Sequence, residues 1–105
     1  MGEGRSINMK NLEEIKHLLT EVKPLLKVRY KVREVRLFGS FVRGEQTKES
    51  DLDVLVGFDQ PVSLLDLAAL EVFLNDLLGI RVDVVPQEDL REELRGYILK
   101  EALPL

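Results

Sequence analysis

The chain contains no cysteine, so it can form no disulfide, no thiolate zinc site and no cysteine nucleophile. It has no tryptophan and a single histidine, His17, which we expect on the exposed face of the first helix. It also lacks any run of about 20 apolar residues that could span a bilayer, and its first residues do not have the apolar core of a signal peptide. We therefore expect a cytoplasmic protein with no membrane partner.

Basic residues are outnumbered, with 15 Lys and Arg against 19 Asp and Glu and a formal net charge of −4. Proteins that bind nucleic acid through its phosphates need a basic surface, so nucleic acid is not an expected ligand, although local basic patches can still occur. The 105 residues, 45% of them hydrophobic, suffice for one modest core. We expect a flexible N-terminus over residues 1–8 and a single domain over residues 9–105.

Apolar residues at helical spacing predict three long helices. The apolar positions of the first are Leu12, Ile15, Leu19, Val22 and Leu26. Pro24 should kink or restart this helix. The second is bounded by Ser63, a good N-cap, and Gly79, a good C-terminal stop. The third is expected over residues 87–101, with an apolar stripe of Leu90, Leu94, Tyr97 and Ile98.

Three strands are expected at residues 34–38, 52–58 and 80–85, which are rich in extended-chain formers. The link between the first two strands has room for at most one helical turn. A strand–helix–strand crossover joins the second strand to the third, which implies a right-handed unit. The fold class is therefore α/β (α+β), a small mixed β-sheet with helices packed on it.

Two aspartates, Asp51 and Asp53, stand two apart on a predicted strand, so their carboxylates share a face. Two negative charges that close are unfavourable unless a positive charge joins them. Mg²⁺, or Mn²⁺ in its place, prefers such oxygen ligands, and Asp83 on the next strand could supply a third carboxylate. An isolated Asp-x-Asp is common in acidic chains, however, and Asp51 could simply end a loop.

A turn at Gly39-Ser40 follows the first predicted strand. Glycine permits close backbone approach, and the serine hydroxyl with nearby amides can hold phosphate oxygens at a helix start. Arg43 could neutralise phosphate charge through forked hydrogen bonds, or could simply be solvated. Alone, a Gly-Ser turn is too common to assign a function.

Together these residues form a more specific pattern: Gly39-Ser40, a ten-residue gap, then Asp51-Leu52-Asp53. This pattern resembles the minimal nucleotidyltransferase (MNT) domain of the DNA polymerase beta-like superfamily, and in particular the MNT antitoxins of HEPN/MNT toxin–antitoxin pairs. The resemblance implies the polymerase beta-like fold. It also implies that Gly39, Ser40 and Arg43 bind nucleotide.

The same resemblance implies that Asp51 and Asp53 ligate two Mg²⁺ ions and that Asp83 is the third catalytic carboxylate. The implied reaction transfers AMP from ATP to a hydroxyl, with a tyrosine of a partner HEPN toxin as acceptor. Two alternatives remain: an antitoxin that acts by binding alone with a vestigial nucleotide site, and a small-molecule nucleotidyltransferase, which would want a further substrate domain.

The helix over residues 64–78 is apolar around much of its circumference, more than one sheet face can cover. Part of this surface is expected to meet another chain. A homodimer would also bury it, and so would a position deep inside this domain. The absence of an acceptor domain favours a separate partner.

Overall fold

The computed structural model describes residues 11–47 and 49–105, so the expected flexible N-terminus over residues 1–8 lies outside the described residues. The elements in chain order are α1 (Leu12–Tyr30), β1 (Val32–Phe38), α2 (Ser40–Arg43), β2 (Leu52–Phe58), α3 (Leu64–Leu78), β3 (Val82–Pro86), a 3₁₀ turn (Gln87–Asp89), α4 (Glu92–Glu101) and β4 (Leu103–Pro104). The predicted order is confirmed through α4. The link between β1 and β2 contains one helical turn, α2.

Helix α1 starts at a reciprocal cap. The Glu14 amide donates to the Asn11 side chain at 2.8 Å, and the Asn11 amide donates to Glu14 at 3.2 Å. The helix then continues through Pro24, so the expected restart does not occur. Proline removes the amide that would pair with the Thr20 carbonyl. Both residues are exposed, so water can replace that partner.

The four strands form one mixed sheet in the order β3-β2-β1-β4. Strands β1 and β2 are antiparallel, whereas β2 and β3 are parallel and joined through α3, so the sheet is mixed, as predicted. Strand β4 pairs with β1 only at Arg36 and Leu37. It is absent from the sequence prediction because it is two residues long and contains a proline, which strands accept mainly at edges.

One face of the sheet packs against α1 and α3. The buried residues shared by these elements are Ile15, Leu19, Leu26, Leu70, Leu74, Leu78, Val35, Leu37, Val54 and Val56. Burying each such side chain stabilises the fold by about 1.5–3 kcal/mol. Because side chains alternate along a strand, the opposite face carries Asp53, Leu55 and Asp83. The core thus fixes the sheet and leaves the aspartates on the other side.

The outer edge of β3 is closed by side chains of α3. The Val82 amide donates to Asn75 at 2.6 Å, and the Val84 amide donates to Glu71 at 3.2 Å. These bonds explain why α3 carries Glu71 and Asn75, polar residues that do not fall on one solvent-facing stripe of the helix. They also remove the free donors that make an edge strand available to another chain.

The last helix differs from its prediction. Residues 87–89 form a 3₁₀ turn, Leu90 and Arg91 are extended, and α4 begins only at Glu92. Its expected apolar stripe is largely exposed, with Leu94 47% and Tyr97 66% accessible. The extended backbone at Leu90 separates it from α4, so the four apolar residues do not form one buried face. No helix in the described ranges combines the length and apolarity needed to cross a membrane.

Candidate active site

Two of the predicted aspartates lie side by side on neighbouring strands. Asp53 of β2 is the register partner of Asp83 on the parallel strand β3, and of Phe38 on the antiparallel strand β1. Because register partners on adjacent strands project from the same face, both carboxylates stand on the sheet face away from α1 and α3. Asp53 therefore occupies the centre of the candidate site.

The charge on Asp53 is unfavourable in this position. Burial raises the pKa of Asp53 above its usual value, and the negative charges of Asp83 and Asp51 raise it further. The charge of Arg43 acts in the opposite direction. A raised pKa means that the ionised carboxylate destabilises the folded state at neutral pH. A bound cation would relieve this unfavourable charge.

Asp51 is turned toward a different partner. Its Oδ1 atom lies 3.0 Å from Nε of Arg81, and the two side chains are 48% and 76% exposed. Within the part of the chain that the structure describes, no three acidic or histidine side chains converge on one metal position. The carboxylates of Asp51, Asp53 and Asp83 are nevertheless suitable ligands for Mg²⁺, which prefers oxygen atoms and would reduce the repulsion between their charges. A shared site would require Asp51 to leave Arg81, and such exposed pairs are weak, about 0–1 kcal/mol.

Gly39 directly follows the last residue of β1 and lies next to Asp53. Its backbone has φ 89° and ψ −156°, a combination that essentially only glycine adopts. A Cβ atom added to Gly39 would overlap the carboxylate oxygen Oδ2 of Asp53. Glycine is therefore needed here for two reasons, the backbone conformation and the space next to Asp53.

Ser40 opens the single turn of α2, directly after Gly39. The Gly39 carbonyl accepts from the amides of Val42 and Arg43 at 3.1 and 3.2 Å, and the Ser40 carbonyl accepts from Glu45 at 2.9 Å. These bonds hold the turn, while the Ser40 side chain remains partly accessible. Gly39 lies against Asp53, and the turn places Ser40 directly after it.

Arg43 is held by two carboxylates. Its Nε atom donates to Glu45 at 2.9 Å and its Nη1 atom donates to Glu101 at 3.1 Å. The hydrogen bond to Glu45 and the charges of both glutamates raise the pKa of Arg43. The guanidinium thus stays charged, and its charge acts on Asp53. From the sequence, Arg43 was expected either to bind phosphate or to be solvated. The structure shows a third environment, in which Arg43 forms ion pairs with Glu45 and Glu101.

Arg81 and Glu101 were absent from the set of residues predicted from the sequence. Arg81 meets Asp51 because β2 and β3 are in the register Leu52 with Val82, which a single sequence does not reveal. Glu101 reaches Arg43 because it closes α4 just before β4 joins the sheet, and β4 carries too weak a local signal to predict. Both contacts depend on strand pairing rather than on a motif.

The geometry therefore combines clustered carboxylates, a glycine turn against the central aspartate and a nearby arginine. This arrangement suits the transfer of a phosphate-containing group, since carboxylates can hold divalent cations and the turn and arginine can face phosphate oxygens. The class it defines is a nucleotidyltransferase. Comparison with known proteins agrees at the level of the family.

The chain matches the profile of the family described as nucleotidyltransferase domain over residues 15–105, and it belongs to that family. It is 44% identical over 95 residues to the protein adenylyltransferase MntA of Thermococcus cleftensis, covering 90% of this chain and 96% of that protein. The resemblance inferred from the motifs is thus confirmed for the family and for its enzymatic class.

Two solved structures support the same assignment. The first matches with a TM-score of 0.81 and 42% identity, over 95% of this chain and 100% of that one, and is provisionally described as a minimal nucleotidyltransferase. A chain from a crystal structure of a MntA–HepT toxin–antitoxin variant matches with a TM-score of 0.65 and 25% identity, over 92% of this chain and 72% of that one. The predicted fold class is confirmed.

Proposed function

We propose that this nucleotidyltransferase transfers AMP from ATP to a hydroxyl of a partner protein, a tyrosine of a HEPN-family toxin, and thereby acts as its antitoxin. The observation that carries the proposal is the register pairing of Asp53 with Asp83, with Gly39 against Asp53. The name of the 44% identical relative, protein adenylyltransferase MntA, supports AMP as the group and protein as the acceptor. The similarity to a chain of a MntA–HepT complex supports the toxin partner.

In this reaction the acceptor oxygen forms a bond to the α-phosphorus of ATP, the bond to pyrophosphate breaks, and the acceptor hydroxyl loses its proton. Two Mg²⁺ ions, or Mn²⁺, held by Asp51, Asp53 and Asp83 would supply charge neutralisation and polarisation of the phosphate when bound.

The chain's own residues have the remaining roles. The lack of a side chain at Gly39 leaves the backbone open to the triphosphate. Ser40 donates its hydroxyl to a phosphate oxygen. Arg43 exchanges a carboxylate partner, Glu45 or Glu101, for phosphate oxygens, which accept forked hydrogen bonds equally well.

The surface of α3 is consistent with a separate acceptor protein. Leu70, Leu74 and Leu78 are buried in the domain, which leaves Leu64 84% and Leu65 82% accessible. The alternative that α3 lies deep inside this domain is therefore wrong. Exposed apolar residues of this size mark interaction surfaces when they cluster. A partner docked on α3 would be held on the sheet face opposite the aspartates, so α3 would anchor the partner and its hydroxyl-bearing segment would have to reach the other face.

Binding of nucleotide and cation should be visible in thermal stability. We expect Mg²⁺ with ATP at about a hundred times the dissociation constant to add about 2.7 kcal/mol to the free energy of unfolding. For a domain of this size that corresponds to a rise in Tm of the order of 10 °C. Calorimetry of the wild type with Mg²⁺ and ATP, and with each alone, measures it. An unchanged Tm would remove the basis for a nucleotide site.

Asp53→Asn should raise the stability of the protein without ligand but should reduce the stabilisation that Mg²⁺ and ATP provide. Without ligand, the variant should be more stable than the wild type at neutral pH, because the raised pKa of Asp53 marks its charge as destabilising. With Mg²⁺ and ATP the variant should lose most of the wild-type gain. Asp76→Asn, on the exposed side of α3, is the control and should retain the full gain. Equal gains in Asp53→Asn and the wild type would place the ligand elsewhere.

A further inference from the structure

A cleft lies between α1 and β1, away from the aspartates. It has a volume of about 380 Å³ and is lined by Lys23, Pro24 and Lys27 of α1 and by residues 32–35 of β1. This volume is within the range of about 300–1,000 Å³ found for ligand sites. The first residue of β1, Val32, lies about 20 Å along the strand from Phe38, the partner of Asp53, at about 3.3 Å per residue. The α1–β1 cleft shares no residue with the candidate active site.

The cleft runs along the less protected edge of the sheet. At the other edge, Glu71 and Asn75 of α3 bind the amides of β3. Strand β4, in contrast, pairs with β1 only at Arg36 and Leu37. From Val35 back to Val32, where the pairing of β1 with β2 has an irregular register, the ranges that the structure describes place no further strand beside β1. Such an edge can accept an extended backbone from another chain.

Leu105 shows how an extended backbone is held at this edge. Its amide donates to the Val35 carbonyl at 3.1 Å, and its carbonyl accepts from Nζ of Lys23 at 2.6 Å. The first of these bonds continues the pairing of β4 with β1, and the second uses a side chain of the cleft. An added strand would meet the same kind of partners further along β1.

The charge of the cleft is opposite to that of the whole protein. Lys23, Lys27 and Arg33 line it, although the Arg33 guanidinium donates to the Phe58 carbonyl on β2 at 3.0 Å, and Glu34 is its one lining carboxylate. Glu34 already lies 2.8 Å from Arg36 and 3.7 Å from Arg33, so its charge is largely compensated. The chain as a whole carries −4. A ligand for this cleft should therefore be negatively charged.

We propose that the α1–β1 cleft binds an extended acidic segment of a partner protein, which joins the sheet as a strand along β1. Strand addition uses main-chain hydrogen bonds for affinity and side-chain contacts for specificity. Here Lys27 would pair with a carboxylate of the segment, since Lys23 binds the Leu105 carbonyl and Arg33 binds the Phe58 carbonyl on β2. A second copy of this chain would bring its own lysines against these lysines. Nucleic acid would supply phosphates but no backbone that pairs with a strand.

The test is a fluorescence anisotropy titration of the full chain with a terminally blocked hexapeptide of alternating valine and glutamate. Binding is expected, and Lys27→Glu should raise the Kd by about three- to tenfold, because the reversal replaces a weak exposed ion pair with a repulsion of similar size. Lys100→Glu, an equal charge reversal on exposed α4, should change the Kd by less than about twofold.

Two further peptides separate strand addition from simple charge attraction. A peptide with glutamine in place of glutamate should bind far more weakly, and one methylated at alternate backbone nitrogens should not bind, because it cannot pair with β1. Equal affinities for all three peptides would overturn the proposal, as would no binding at millimolar concentration. Tighter binding of oligothymidylate that also depends on Lys27 would assign the cleft to nucleic acid instead. A dimer in light scattering that Lys27→Glu abolishes would assign it to a second copy.

Discussion

The double variant Asp51→Asn, Asp53→Asn is expected to lose at least about 10³-fold in the rate of AMP transfer, because removal of even one group that stabilises the reacting charge costs about 10²–10³. Both substitutions keep the size of the side chain but remove a negative charge. The ligands of the proposed cation site would thus lose most of their affinity for Mg²⁺. Transfer is measured as incorporation of label from α-labelled ATP into the proposed HEPN-family partner under single-turnover conditions.

The control for this variant removes two carboxylates elsewhere. Glu13 and Glu21 are both exposed on α1, so Glu13→Gln with Glu21→Gln changes the net charge equally. That double variant should keep the rate within about threefold, the range expected for surface substitutions away from a site. If both double variants lost activity alike, net charge rather than the site would be responsible.

Gly39→Ala is expected to abolish transfer and to destabilise the fold by about 1–3 kcal/mol, the cost of a sparsely populated backbone conformation. The alanine Cβ would overlap Oδ2 of Asp53, and its backbone would have to keep a conformation that alanine avoids. Either the β1 end or Asp53 must move, and both belong to the site. Calorimetry gives the loss of stability, and the transfer assay gives the loss of rate at a temperature where the variant is folded.

Gly44→Ala separates the effect of the backbone conformation from the effect of the overlap with Asp53. Gly44 also has a positive φ, 75°, but an added Cβ would meet nothing within 4 Å. Its ψ of 23° places it in the left-handed helical region, which costs a non-glycine residue roughly 1–2 kcal/mol. Gly44→Ala should therefore lose some stability and keep most of its activity. An active Gly39→Ala enzyme would show that the close approach to Asp53 is not needed.

The parts of the fold with strong local signals could be predicted from the sequence. Helix α3 begins after Ser63 and ends before Gly79 as expected, because its cap and its stop each have a distinct chemistry. Strand β2 matches its predicted bounds of 52–58. The start of α4 and the existence of β4 could not be predicted, because the first depends on an extended Leu90 and the second on pairing with a distant strand.

In the candidate site, too, local patterns could be predicted from the sequence and long-range contacts could not. The spacing of Asp51 and Asp53 and the Gly39-Ser40 turn are local patterns, so they could be read directly. The register of Asp53 with Asp83 agrees with the expected shared face, although the chemical roles of these residues remain predictions. The contacts of Asp51 with Arg81 and of Arg43 with Glu101 join residues that no motif connects, so only the folded chain reveals them.

The claim that this chain modifies a partner protein is tested most directly by the intact mass of that partner. The purified chain is mixed with ATP, Mg²⁺ and the proposed HEPN-family partner, and the partner is then weighed by mass spectrometry. The account predicts added mass in whole AMP units with the wild type and none with the Asp51→Asn, Asp53→Asn variant. A tight complex whose partner gains no mass with any nucleotide would contradict the transferase proposal and support an antitoxin that acts by binding alone.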